Sequence, residues 1–412
     1  MKCIVDGDVV LSRPLEGPLS SQIAPFAVWA REQGYALRSR CQQVRLAAGF
    51  SRWFGEQAAS VGDLSAEHVS QYLRLHAGPS QLRRGDAAIL RRLVEFLRRE
   101  GVAATEKAAP CRLTPVEQEI ERFTTYLRSE RALSEATVTN YVPFVRSFLR
   151  DRFGTGQLRL SELSGADVVR FVQRQAPRLH RKRAKLLTTA LRSFLHFLRY
   201  RGEIHSDLAV AVPCVADWSM GSIPRAIAPD AVQRLLGSLD RSTPLGLRNY
   251  AVLLLLARLG LRAVEVAFLE LDDIDWAAGQ LSVRAKGGER TALPLSVEVG
   301  EAIAAYLQHG RPPSSSRRVF LRLRAPIRGF LEPTAIAGIV RLTLARAQVT
   351  APSKGAHQFR HALAVQMLHN GASLAEIGEL LRHRSPQTTT IYAKVDLGAL
   401  RPLALPWPGG AR

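Results

Sequence analysis

At 412 residues the chain is too long for one ordinary hydrophobic core, so two or three domains are expected. Its 46% apolar content is enough to fill those cores and excludes wholesale disorder. The 57 Lys and Arg against 36 Asp and Glu leave a net charge of +21, which selects polyanionic partners, nucleic acid first.

The first residues carry Asp6, Asp8 and Arg13 where a secretory signal would need an apolar stretch. The longest apolar run, Ala251 to Ala257, is stopped by Arg258, well short of the ~18 residues of a membrane span. Cys3, Cys41, Cys111 and Cys214 lie far apart, so neither a disulfide framework nor a zinc site is expected. A cytoplasmic protein with no membrane partner follows from these features.

Residues 1–110 read as a helical domain that the next hundred residues repeat. Phe50-Ser51-Arg52-Trp53-Phe54 is echoed by Val145-Arg146-Ser147-Phe148-Leu149. Asp63-Leu64-Ser65 with Val69, Tyr72 and Leu73 is echoed by Glu162-Leu163-Ser164 with Val168, Phe171 and Val172. Glu95 to Gly101 is echoed by His196 to Gly202. Each copy has a Ser suited to cap a helix and closes on a helix with paired apolar residues every four positions, Ile89/Leu90 and Leu93/Val94 in the first, Ala190/Leu191 and Phe194/Leu195 in the second. Basic clusters recur too: Arg83, Arg84, Arg91 and Arg92, then Arg178, Arg181, Lys182, Arg183 and Lys185. In a chain this cationic they are candidate phosphate contacts.

Prolines at 110 and 115 separate the two copies, 1–110 and 115–205, and the irregular stretch 206–229 reads as a linker. Beyond it lies a mixed domain, 230–400, followed by a tail, 401–412. Helical signals run over 230–239, 248–269, 297–308, 333–347 and from His357 onward. Short β-prone runs at 274–276, 280–285 and 291–295, with glycine turns between them, predict a small antiparallel sheet.

Four patterns in this last domain bear on chemistry. Gly260-Leu261-Arg262 precedes Glu265 by three residues, so the two can close a helix start. Lys286 sits at the tip of the Gly287-Gly288 hairpin. His357-Gln358-Phe359-Arg360-His361 puts His357 and Arg360 on one helical face. Leu381-Arg382-His383 is followed nine residues later by Tyr392. Taken singly, each has a plainer reading as a surface, capping or core feature.

Together and in this order they resemble the tyrosine recombinase family of phage integrases, chromosome-dimer resolvases and transposon-borne recombinases. The resemblance covers about Leu113 to Val395. It implies a mainly α fold, with helical N-terminal domains of the SAM-like core-binding type and an α+β catalytic domain. It also implies a site-specific recombinase or integrase that cleaves DNA through a covalent 3′-phosphotyrosine.

By the same resemblance, Arg262 and Arg360 would clamp the scissile phosphate and His357 would accept the phenol proton of Tyr392. Lys286 would protonate the leaving oxygen and His383 would bond the phosphate. Glu265 and His361 would support these groups. No cofactor is implied, neither metal nor ATP. The implied partners are double-stranded DNA, three further copies of the chain on synapsed DNA, and other recombinases of the same mobile element. Arg382 departs from the family's usual glycine; it could add a phosphate contact or shift His383. A non-catalytic accessory protein and a type IB topoisomerase-like enzyme are the readings left open.

Overall fold

The computed structural model describes residues 3–5, 9–11, 13–57, 60–76, 85–103, 113–154, 156–216, 224, 226–284, 290–395 and 400, with backbone alone for 3–5, 10 and 11. They form two compact units: Met1–Thr105 together with Ser222–Arg412, and Glu106–Gly221.

The first hundred residues open with an antiparallel pair, β1 (Cys3–Val5) and β2 (Val9–Leu11), then four helices: α1 (Ser20–Glu32), α2 (Leu37–Glu56), α3 (Ala66–Leu75) and α4 (Asp86–Arg99). Phe26, Phe50, Phe54, Leu90 and Leu93 fill their core. The unit Glu106–Gly221 holds α5 (Pro115–Ser129), α6 (Glu135–Phe153), α7 (Gly165–Gln175) and α8 (Arg181–Tyr200).

The two sets repeat each other in detail. A single 3-10 turn precedes α3 (Val61–Asp63) and α7 (Leu160–Glu162). Phe26, Trp29 and Phe96 form an aromatic triangle with centroids 5.6–5.8 Å apart, and Phe123, Tyr126 and Phe197 form its counterpart at 4.9–6.5 Å. α4 and α8 both end on a left-handed glycine, Gly101 at φ 72° and Gly202 at φ 73°. The matched positions are core aromatics and capping glycines, which set the packing of each group of helices.

The segment read as a linker is partly core. Leu208, Ala209 and Val212 pack into the second helical unit, and the Arg192 guanidinium donates to the Val212 carbonyl at 2.9 Å. Periodicity did not reveal this because these residues reach the core from turns.

The C-terminal lobe is built on α10 (Pro244–Arg258), which follows α9 (Pro229–Gly237) and is buried from Ala251 through Leu256. Residues 248–269 are not one helix: Gly260, at φ 56°, ends α10, and α11 (Ala263–Ala267) starts afresh. The expected sheet is present as β3 (Ile274–Asp275), β4 (Gln280–Arg284) and β5 (Arg290–Pro294), antiparallel in that order. α12 (Val297–Ala305) runs on as a π turn, and α13 (Thr334–Arg346), α14 (His357–His369), α15 (Leu374–Leu380) and a 3-10 turn over Thr390–Val395 complete the lobe.

The N-terminal helices touch this lobe where α1 ends. The Ile327 amide donates to the Gln33 carbonyl at 2.9 Å, and Gly34, at φ 79°, lies so close that an added Cβ would strike the Ile327 side chain. Among the described residues, no helix is long and apolar enough to cross a membrane.

Candidate active site

Arg262 sits at the start of α11 because Gly260 has just ended α10. Its amide donates to Glu265 Oε2 at 2.8 Å, and its guanidinium donates to Glu265 Oε1 at 2.7 Å. Its second arm reaches the Arg382 carbonyl at 3.2 Å, and 30% of the side chain stays exposed. Glu265 is buried and holds a second cation, Arg382, at 2.8 Å. Two guanidiniums on one carboxylate leave a net positive site.

Arg382 does not point outward to add a phosphate contact. Its side chain is 5% exposed and its backbone is left-handed, at φ 53°. That conformation explains why glycine suits this position, since a Cβ there is strained by about 1 kcal/mol. The side chain is held there against Glu265.

Arg360 lies on α14 and is 1% exposed. Its guanidinium donates to the Gly260 carbonyl at 2.7 Å and to the Leu381 carbonyl, so it ties the α10 terminus to the end of α15. Gly260 is needed for this closeness: an added Cβ would come within 2.9 Å of Leu381 and 3.0 Å of Leu363. Burial, then the neighbouring Arg262 and Arg382, push Arg360 down to about 10, which still leaves it cationic at neutral pH. His357 is exposed in the first turn of α14, and its ring meets His361 edge to face at 4.3 Å between centroids.

His383 accompanies Thr389, whose hydroxyl is 2.8 Å from Nδ1. Burial and then the surrounding Arg360, Arg262, His357 and Arg382 push this imidazole down to about 4, so it is neutral at physiological pH. Tyr392, 1% exposed, packs with Ala364, Ile377 and Leu381. Its hydroxyl lies 2.9 Å from Nδ1 of His361. Burial pushes the phenol up to about 12, with Arg360 pulling the other way. Forming phenolate at pH 7 without a proton acceptor would therefore cost about 7 kcal/mol.

The structure thus brings together Arg262, Glu265, His357, Arg360, His361, His383 and Tyr392. Lys286 lies outside the described residues, as do Arg83 and Arg84. Of the basic clusters, Arg91 is exposed and Arg92 covers the Tyr35 ring at 4.9 Å. Arg178 is exposed before α8, and Arg181, Lys182, Arg183 and Lys185 crowd the first turns of that helix, which opens with no acidic residue. Cations there oppose the helix dipole, by about 0.3–1 kcal/mol each, unless an anion meets them. Sequence reasoning missed Thr389, whose only signal is its place in Thr388-Thr389-Thr390, and the bridging part of Arg382.

Two family models match the chain: the phage integrase family over residues 225–397, and the phage integrase N-terminal SAM-like domain over residues 120–202. A putative integrase/recombinase of Sinorhizobium fredii is 54% identical over the full length of both chains. Tyrosine recombinase XerD of Listeria monocytogenes is 31% identical, covering 67% of this chain and 93% of that protein. Among solved structures, the XerH site-specific recombinase in its post-cleavage complex with a difH substrate aligns with a TM-score of 0.56 and 16% identity, over 84% of this chain and 98% of that one. A lambda integrase dimer bound to a core site aligns with a TM-score of 0.53 and 16% identity, over 67% and 94%. Both likenesses are of fold.

Proposed function

The chain belongs to the tyrosine recombinase (phage integrase) family, and on that premise we propose that it cleaves and rejoins duplex DNA at specific sites, with Tyr392 as nucleophile. One observation carries the reading. Residues from four separate segments, spread from Arg262 to Tyr392, converge on one positively charged site with a phenol hydrogen-bonded to an imidazole.

The chemistry follows from those groups. A phosphodiester gains negative charge on its non-bridging oxygens as it is attacked, and paired guanidiniums suit that charge. Arg262 has the exposed arm. Arg360 fixes the floor and supplies buried charge. His383, kept neutral, offers a hydrogen bond to the phosphate. The phenol proton passes to an imidazole of α14, and a 3′-phosphotyrosine forms as the 5′-oxygen leaves. That ester conserves the bond energy, so rejoining needs neither ATP nor a metal.

Two duplexes cut twice each call for four subunits, so a homotetramer on DNA is the working assembly. The basic start of α8 supplies phosphate contacts. The test is a suicide substrate that traps the cleaved strand, with the DNA-bearing peptide identified by mass spectrometry. A conjugate at any residue other than Tyr392, or none, would reject the reading.

Lys286 is proposed as the general acid on the strength of its hairpin position. Lys286→Ala should be slow on ordinary DNA, by about 10²-fold or more, yet recover on DNA with a 5′-bridging phosphorothiolate, whose sulfur leaves unprotonated. Equal defects on both substrates would remove Lys286 from this role.

The repeated helices of residues 20–103 are proposed as a second DNA grip. Deleting residues 1–105 should shorten the footprint and flatten the salt dependence of binding, by about 0.9 log unit per lost phosphate contact. An unchanged footprint and slope, with poorer stability of the catalytic lobe, would make the Gln33–Ile327 contact purely structural.

A further inference from the structure

We infer that Arg382 is a positioning residue for strand cleavage: by taking a share of Glu265 it keeps the Arg262 guanidinium aimed and charged for the scissile phosphate, a role that rests on the phosphotyrosine reading above. Arg382 itself is set too deep to meet DNA, since its side chain is 5% exposed against 30% for Arg262.

One carboxylate serves both cations. Glu265, buried on α11, accepts from the Arg262 guanidinium through Oε1 at 2.7 Å. Its Oε2 accepts from the Arg262 amide at 2.8 Å and from Arg382 Nη2 at 2.8 Å. The Arg382 bond therefore occupies the oxygen that could otherwise swing onto the Arg262 guanidinium. A carboxylate free to fork onto a guanidinium with both oxygens makes the stronger, bidentate pair. Such a pair would draw in the arm that Arg262 leaves exposed and offset its charge. With Arg382 in place two cations share one anion, and Arg262 keeps a positive field for an incoming phosphate.

The main chain of the same residue acts on the same arginine. The Arg382 carbonyl accepts from Arg262 Nη2 at 3.2 Å, and the adjoining Leu381 carbonyl accepts from Arg360. Two successive carbonyls of one turn thus hold the two clamp arginines. The Arg382 amide fixes that turn by donating to the Glu379 carbonyl at 2.8 Å, and the His383 amide by donating to the Gly378 carbonyl at 2.9 Å. The side chain of Arg382 then ties the turn to α11, across 117 residues of sequence.

Stability alone gives a poor account of this side chain. A buried ion pair adds little net stability once desolvation is counted, and at φ 53° the backbone of Arg382 would be more relaxed as glycine. Strained backbone held in place by its surroundings clusters at functional sites, and this turn lies between Arg262 and Arg360.

The experiment uses the full chain and single-turnover cleavage of a suicide substrate. Arg382→Met keeps apolar bulk without the charge. At saturating protein its rate should fall by about 10–10²-fold, the scale on which a small misplacement near the chemistry acts. The protein concentration giving half-saturation should stay within about twofold, because a buried side chain makes no phosphate contact. The fraction of DNA finally trapped should match the wild type.

A double-mutant cycle separates positioning from packing. On an Arg262→Ala background, Arg382→Met should change the rate by less than about twofold, since the group it positions is gone. A packing role predicts the same factor on both backgrounds, with less DNA trapped and earlier melting. That result would overturn the inference, as would a wild-type rate for Arg382→Met. Should Arg382→Met fold poorly, Arg382→Gly serves, because glycine suits the left-handed turn, with the same coupling expected. Absence of any covalent complex in the wild-type protein would instead reject the phosphotyrosine reading itself.

Discussion

Tyr392→Phe should bind its target DNA as tightly as the wild-type protein and form no covalent complex with it. The phenyl ring keeps its packing against Ala364, Ile377 and Leu381, so the site remains folded. What disappears is one hydroxyl and its hydrogen bond to His361, worth about 1 kcal/mol of stability. That loss is small beside the chemical one, because no bond to phosphorus can form without the oxygen. A denaturing gel of suicide-substrate reactions reads the result, with mobility shift as the control for binding. Trapped DNA in the Tyr392→Phe lane would show that another residue attacks.

Arg360→Ala and Arg262→Ala should each slow cleavage by about 10²–10³-fold, as removal of a preorganised donor to a developing oxyanion does. Their effects on folding should differ. Arg360 is buried, and its loss leaves a cavity and removes the donor to the carbonyls of Gly260 and Leu381, so about 3 kcal/mol of stability should go with it. Arg262 is partly exposed and shares Glu265 with Arg382, so its removal should cost about 1 kcal/mol or less.

Arg360→Lys should stay far below wild type, because an ammonium cannot bridge two carbonyls and face a phosphate with a planar fork. The measurement is single-turnover cleavage at saturating protein, beside thermal melting and a binding titration. Binding should weaken less than tenfold, since Arg360 is buried and Arg262 is one cation among the many of a strongly basic chain. If binding falls as far as cleavage, these arginines anchor DNA and do no more.

Much of this molecule was legible in the linear chain. Local rules acted where neighbours in sequence are neighbours in space. Paired apolar residues every four positions located α4 and α8, Gly-rich breaks bounded β3 to β5, and the three echoed blocks fall on helices that carry similar aromatic triangles. The candidate site residues Arg262, Arg360, His383 and Tyr392 were nominated by motif order and the family resemblance it carries, because each motif is a short segment of restricted residue types.

What the sequence could not supply was every fact that depends on contacts between distant segments. The burial of Arg382 against Glu265, 117 residues away, turned an apparent surface cation into part of the site's scaffold. The hydrogen bond between Tyr392 and His361 depends on how the terminal turn packs on α14. The docking of Ile327 on Gln33 joins residues nearly three hundred positions apart. Such contacts have no periodicity and leave no local composition signal. They arise from the shape of a packed core, where burial fixes which charges meet and which polar groups share a hydrogen bond.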